Sequence, residues 1–129
     1  MKAKIYFSKV RNGKTKKLRE IYNESRNPIW INPHFMTQKN FNSLKWTKGI
    51  DDVDSLLIDD VPEFFDFSVI INIVKSGLMP IYQGKNKPFK MIEAPKIIIT
   101  SNYCPSKNDL NATRYFEVYE FPNITDQIN

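Results

Sequence analysis

The chain predicts an α/β domain in three layers: a central, mostly parallel sheet, helices on both faces, and a β-hairpin inserted late. Three observations predict it. Apolar runs at residues 3–8, 53–60 and 96–102 read as buried strands, that at 53–60 buried on both faces. Segments of helical period lie between them. The 129 residues, 41% hydrophobic and 13% aromatic, are enough for one cored domain, read here as residues 1–129, and too apolar for a disordered chain.

The elements follow in order. AKIYFS, residues 3–8, is a short buried strand that runs into the polar loop KVRNGKT. TKKLREIYNES, residues 15–25, places Leu18, Ile21 and Tyr22 at helical spacing, and Asn27-Pro28 ends that helix. IWI, residues 29–31, is a second strand. Residues 33–50 are mixed, with a short helix expected over 39–44. VDSLLIDD, residues 53–60, is a buried strand that ends in two acids. An apolar helix over 67–76 is closed by Gly77. Residues 79–92 alternate around GKNKP and read as a hairpin. KIIITSN, residues 96–102, is a buried strand with a polar end, and residues 114–121 (RYFEVYEF) form a last strand. Strands separated by helices make a parallel sheet the economical solution.

Composition bounds the function. A net charge of +5 suits a polyanionic partner, although a modest excess also serves solubility. One cysteine, Cys104, excludes an internal disulfide and fits a reducing, intracellular setting. One histidine, His34, excludes a histidine cluster or a two-histidine metal site, and it reads as a loop residue. No apolar run approaches the ~20 residues of a membrane span, so no membrane is expected. The first residues carry no signal-peptide core. The chain begins inside a strand pattern, so any targeting, nuclease or oligomerisation domain is expected to lie outside it or to be absent.

The chemistry starts at Ser8-Lys9-Val10-Arg11-Asn12-Gly13-Lys14-Thr15. This follows G-x-x-x-x-G-K-[ST], with Ser8 where the first glycine belongs. Such a loop wraps phosphates with backbone N–H groups and aims the positive end of the next helix at them. Lys14 would reach the β- and γ-phosphates, Thr15 would offer a hydroxyl to Mg²⁺, and at Gly13 the backbone comes closest. The plain alternative is a polar turn that contains GKT. The strand before and the helix after favour the phosphate loop.

A second element is needed: a neighbouring strand ending in an acid that holds Mg²⁺, and a second acid to polarise water. Leu57-Ile58-Asp59-Asp60 offers both, with Asp59 as the metal carboxylate and Asp60 as the base. Consecutive strand residues face opposite ways, so the chain is expected to bend at Asp60. The alternative is an acidic turn before Val61-Pro62. The tip Thr100-Ser101-Asn102 would place Asn102 near the γ-phosphate and the attacking water; an ordinary Asn turn is the competing reading. Asp51, Asp52 and Asp54 read as a solvated acidic turn, and Phe64, Phe65 and Phe67 as core or subunit contact.

Taken together, SKVRNGKT, then LLIDD, then GKNKPFKMIEAPKIIITSN resembles the superfamily 3 helicases of small DNA viruses and plasmids. Residues 84–102 look most like the papillomavirus helicase. LLIDDVPEFFDF and IIITSN are similar to the replication initiators of circovirus-like elements. The resemblance covers residues 3–121. It implies a P-loop NTPase core of AAA+ type, assembled as a homo-oligomer, a hexameric ring, with ATP and Mg²⁺ between subunits. It implies an arginine finger, Arg114, given to a neighbour's site. It also implies a basic hairpin tip, Lys85, Asn86 and Lys87 with Lys90 nearby, on single-stranded nucleic acid, DNA rather than RNA. Papillomavirus-like helicases have a histidine where Asn86 stands. The family is virus-, phage- or plasmid-encoded and acts inside a host cell, and a separate initiator protein is a possible partner.

The leading expectation is therefore an ATPase that couples hydrolysis to movement on single-stranded DNA. A non-catalytic nucleotide-binding module of a replication complex is the alternative. A small-molecule kinase is a third reading; it calls for an arginine-rich lid, and the four arginines Arg11, Arg19, Arg26 and Arg114 form no such cluster in sequence.

Overall fold

The protein was analysed as a computed structural model, which describes residues 1–8, 13–103 and 114–120. Its centre is a five-stranded sheet of β1 (Ala3–Phe7), β2 (Pro28–Ile31), β3 (Ser55–Val61), β6 (Lys96–Ser101) and β7 (Phe116–Glu120). The spatial order is β2-β3-β6-β1-β7, and every neighbouring pair runs parallel. Helix α1 (Lys14–Glu24) joins β1 to β2, and α2 (Gln38–Ser43) lies between β2 and β3. Helix α3 (Ser68–Ser76) follows β3. The hairpin of β4 (Leu78–Ile81) and β5 (Lys90–Glu93) is a separate antiparallel sheet inserted before β6.

Both faces of the sheet are covered, and the period-two alternation of the strands decides what goes where. Leu57, Ile98 and Tyr6 face α1 and pack with its Leu18. Leu56, Ile58, Ile97, Ile99 and Ile5 face the other way, against Phe41, Ile70, Ile73, Met79 and Ile81. That is why β3 and β6 are near-continuous apolar runs: neither face meets water.

Element boundaries moved where side chains capture the backbone. The strand expected from residue 53 starts at Ser55, because Asp54 accepts the backbone N–H groups of Arg26 and Asn27 at 2.7 and 2.9 Å. Asp52 pairs with Arg26 at 2.8 Å, and Asp51 lies 3.5 Å from Lys90. This acidic turn is solvated, as expected, and is also tied to its surroundings by these contacts. The expected helix over 39–44 starts at Gln38, with Thr37 capping the N–H of Asn40 at 3.0 Å. Short 3-10 turns, Pro33–Phe35 and Lys45–Thr47, flank it. Gly77 closes α3 in the left-handed conformation, at φ 73°.

The last strand begins at Phe116, not at residue 114. The hairpin starts one residue earlier than its alternation predicts, at Leu78. Phe65 and Phe67 join a chain of edge-to-face rings from Phe41 to Phe116. Phe64 departs from that cluster, exposed and at φ 62°.

Candidate functional site

In a parallel sheet all strands end on one side, so polar residues at their C-termini converge there, and β6 sits between β1 and β3. The result is a cleft of about 390 Å³ lined by Gly13, Lys14, Thr15, Asn32, Asp59, Asp60, Thr100 and Asn102. Asn32, Asp59, Asp60, Thr100 and Asn102 lie at or just beyond the C-terminal ends of β2, β3 and β6, and Gly13, Lys14 and Thr15 form the start of α1, the helix that follows β1.

Beyond β1, Ser8 is buried and its N–H donates to the carbonyl of Ser101 at 3.0 Å, adding a rung to the β1–β6 ladder. Lys9, Val10, Arg11 and Asn12 lie outside the described residues, as does Cys104. Gly13 has φ 96°, a left-handed conformation that glycine adopts without the Cβ penalty, and it starts α1. The first turn of α1 holds no acid, and no side chain caps it. The carboxylates that face its positive end come from β3, not from the helix itself: Asp59 reaches Thr15 of the first turn. Lys14 is 7% exposed and its Nζ lies 3.4 Å from the carbonyl oxygen of Ser8. Burial pushes the Lys14 ammonium below the ordinary lysine range, and the carboxylates of Asp60 and Asp59 pull it partly back.

Thr15, next on α1, donates its hydroxyl to both oxygens of Asp59, at 3.3 and 3.4 Å. Asp59 is buried, and Thr100 of β6 donates to its Oδ1 at 2.7 Å. The same Thr100 hydroxyl accepts the backbone N–H of Asp60 at 2.9 Å. At Asp60 the chain bends as the acid pair requires: φ is 61°, and the β3–β6 register shifts between Ile58 and Val61. Asp59 and Asp60 therefore both line the cleft instead of facing opposite sides of the sheet. Asn102 approaches Asp60 Oδ1 with its Nδ2 at 3.5 Å, and His34 Nε2 lies 3.5 Å from Asp60 Oδ2.

Three of these residues escaped the sequence reading. Thr100 sat inside a strand tip where Asn102 was singled out. Asn32 carried a usable signal: a polar residue directly after a parallel strand. His34 carried none, because its 3-10 turn brings it to Asp60 only through the tertiary fold. Other candidates lie elsewhere. Arg114 does not line the cleft; it is exposed, with its guanidinium 5.5 Å from the centroid of the Tyr115 ring. Lys85, Asn86 and Lys87 are exposed at the hairpin turn. Lys90 flanks that turn as the first residue of β5, paired with Ile81, and its Nζ lies 3.5 Å from Asp51, near the opposite end of β3 from the cleft.

Chemically, the cleft combines one buried ammonium, a hydroxyl–carboxylate pair, a second carboxylate and the two amides of Asn32 and Asn102. The ammonium and a helix start suit an anion such as phosphate. The oxygens of Thr15 and Asp59 suit a hard cation, and Mg²⁺ commonly takes one or two protein oxygens plus phosphate and water. Among the described residues no group of three or more His, Cys, Asp or Glu side chains gathers, so a dedicated all-protein metal cage is not found there. No protein-family model matches the chain, and no curated protein matches it in sequence. Among the described residues no helix is long and apolar enough to cross a membrane.

Proposed function

We propose that this protein is a P-loop nucleoside triphosphatase that binds ATP with Mg²⁺ and hydrolyses it. The observation that carries the reading is the meeting of Thr15 with Asp59, two residues 44 positions apart in sequence whose oxygens approach to 3.3 Å beside Lys14. A polar turn that merely contains Gly-Lys-Thr has no reason to face a buried carboxylate from another strand.

In this mechanism the loop after β1 and the first turn of α1 bind the phosphates, with Lys14 on the β- and γ-oxygens. Thr15 and Asp59 would hold Mg²⁺, which when bound neutralises charge on the phosphate oxygens. Asp60 accepts a proton from a water whose oxygen attacks the γ-phosphorus as the bond to the β–γ bridging oxygen breaks. Asn102, beside Asp60, orients that water. General-base catalysis of this type contributes ~10²–10⁴-fold.

The particular assignment we propose is the ATPase core of a superfamily 3-type replicative helicase, moving on single-stranded DNA. The order of the motif segments and the inserted hairpin with exposed Lys85 and Lys87 support it. In a ring, Arg114 of one subunit would complete a neighbour's site. The test is ATP turnover with and without single-stranded DNA, in wild type and Lys14→Ala. Strand-stimulated turnover that vanishes in Lys14→Ala is the expected result. ATP binding without turnover would replace this reading with a regulatory nucleotide-binding module, and turnover that needs a small acceptor instead of DNA would replace it with a kinase.

A further inference from the structure

The hairpin presents an aromatic ring as well as charge. Phe89 stands two residues past Lys87 and immediately before β5, and it is 44% exposed. Its ring lies 5.9 Å from that of Tyr82, at 60°. Tyr82 is anchored to the body of the domain: its N–H donates to the hydroxyl of Thr47 at 2.8 Å, and that buried hydroxyl donates to the carbonyl of Leu44 at 2.6 Å. The turn between the two rings is tight, with Gly84 at φ 128°, Asn86 at φ 63°, and the Lys87 N–H bonded to the Gly84 carbonyl at 3.2 Å.

A tyrosine whose backbone is anchored therefore packs its ring beside a phenylalanine that leaves much of its surface in water, close to two exposed lysines. Leaving apolar area exposed forgoes ~25 cal/mol per Å², so the ring gains by being covered. Flat aromatic surface beside basic side chains is the pairing that takes up an unpaired strand: the ring stacks on a base and the lysines meet the flanking phosphates. In a duplex the base faces are already stacked on one another and cannot be offered this way.

We propose that Phe89 is a base-stacking residue, so that the hairpin selects single strands by their exposed bases and not only by their phosphates. This rests on the reading of the hairpin as the nucleic-acid contact. The test is a fluorescence-anisotropy titration of the full chain with labelled oligodeoxythymidylate and with an abasic strand of equal length. The variants are Phe89→Ala, Phe89→Trp and the double variant Lys85→Ala/Lys87→Ala.

Stacking of one base predicts that Phe89→Ala binds the thymidylate strand roughly 5- to 100-fold more weakly. It predicts no change on the abasic strand and recovery in Phe89→Trp. Equal losses on both strands, or no loss on either, would overturn the inference. Should only the lysine variant weaken binding, stacking falls while the phosphate contact stands. Should the wild type bind neither strand, the hairpin reading falls and takes this inference with it.

Discussion

Lys14 is where the cost and the use of the site meet. An ammonium in a buried cleft loses hydration, and its depressed pKa records that loss. The sign of the linkage follows. The folded state holds the proton less tightly than the unfolded chain, so this residue's penalty is present at neutral pH and fades as pH rises toward the ordinary lysine range. The neutral Lys14→Met should therefore unfold at a temperature equal to or above wild type without ligand, while losing the upward shift expected from the proposed ligand, ATP·Mg. A thermal-unfolding series at pH 7 reads both, and a lower ligand-free midpoint would contradict the assignment of burial as the dominant influence. Thr100 makes the opposite kind of contribution. Its hydroxyl serves the Asp59 carboxylate and the Asp60 N–H at once. Thr100→Val keeps the shape and strands both partners, which should destabilise by about 1–3 kcal/mol, whereas Thr100→Ser should stay near wild type in denaturant titrations.

At the scale of elements, two junctions hold the frame at the end of the sheet opposite the cleft. Helix α3 must stop and reverse into the hairpin, and Gly77 does this at φ 73° with nothing within 4 Å of where a Cβ would stand. Gly77→Ala should therefore cost about 1 kcal/mol through backbone conformation alone, measured as a shift of the denaturation midpoint with an unchanged slope. The other junction is Asp54, which ties the end of the α1–β2 connection to the start of β3. Burial pushes its carboxyl up, but N–H bonds from Asn27 and Arg26 outweigh that and hold it below the usual carboxylate range. With the folded pKa depressed, the stabilisation is present above the unfolded value and is lost as pH falls through the folded one. The Tm gap between wild type and Asp54→Asn should thus be widest near neutrality and close as acidification passes below the ordinary carboxylate range. A gap independent of pH would mean that the contact does not depend on the carboxylate charge.

Across the whole molecule, the cleft draws on β1, β2, β3 and β6 at once, so a ligand bound there ties the sheet together. Binding to the folded state alone stabilises by RT ln(1 + [L]/Kd), about 2.7 kcal/mol at a hundredfold excess over Kd. We expect ATP with Mg²⁺ to raise Tm more than ATP or Mg²⁺ alone. We expect Asp59→Asn to erase the increment that Mg²⁺ adds to ATP. An undiminished increment in Asp59→Asn would remove Asp59 from the metal's coordination.

Local pattern alone determined the elements and their order. Buried parallel strands must be apolar on both faces, so β3 and β6 announced themselves. The Gly13-Lys14-Thr15 loop and the Asp59-Asp60 strand end were legible as a pair, and even the bend at Asp60 followed from side-chain alternation. Which strands are neighbours, and so whether Thr15 meets Asp59, was decided only by the tertiary structure. That choice depends on how the two apolar faces are shared between α1 on one side and α2, α3 and the hairpin on the other. The positions of Asn32, His34 and Thr100 came from the same source. Asn32 and Thr100 stand out locally only as polar residues at strand ends, and His34 not at all, because a site assembled from several strand ends exists only once the strands are side by side.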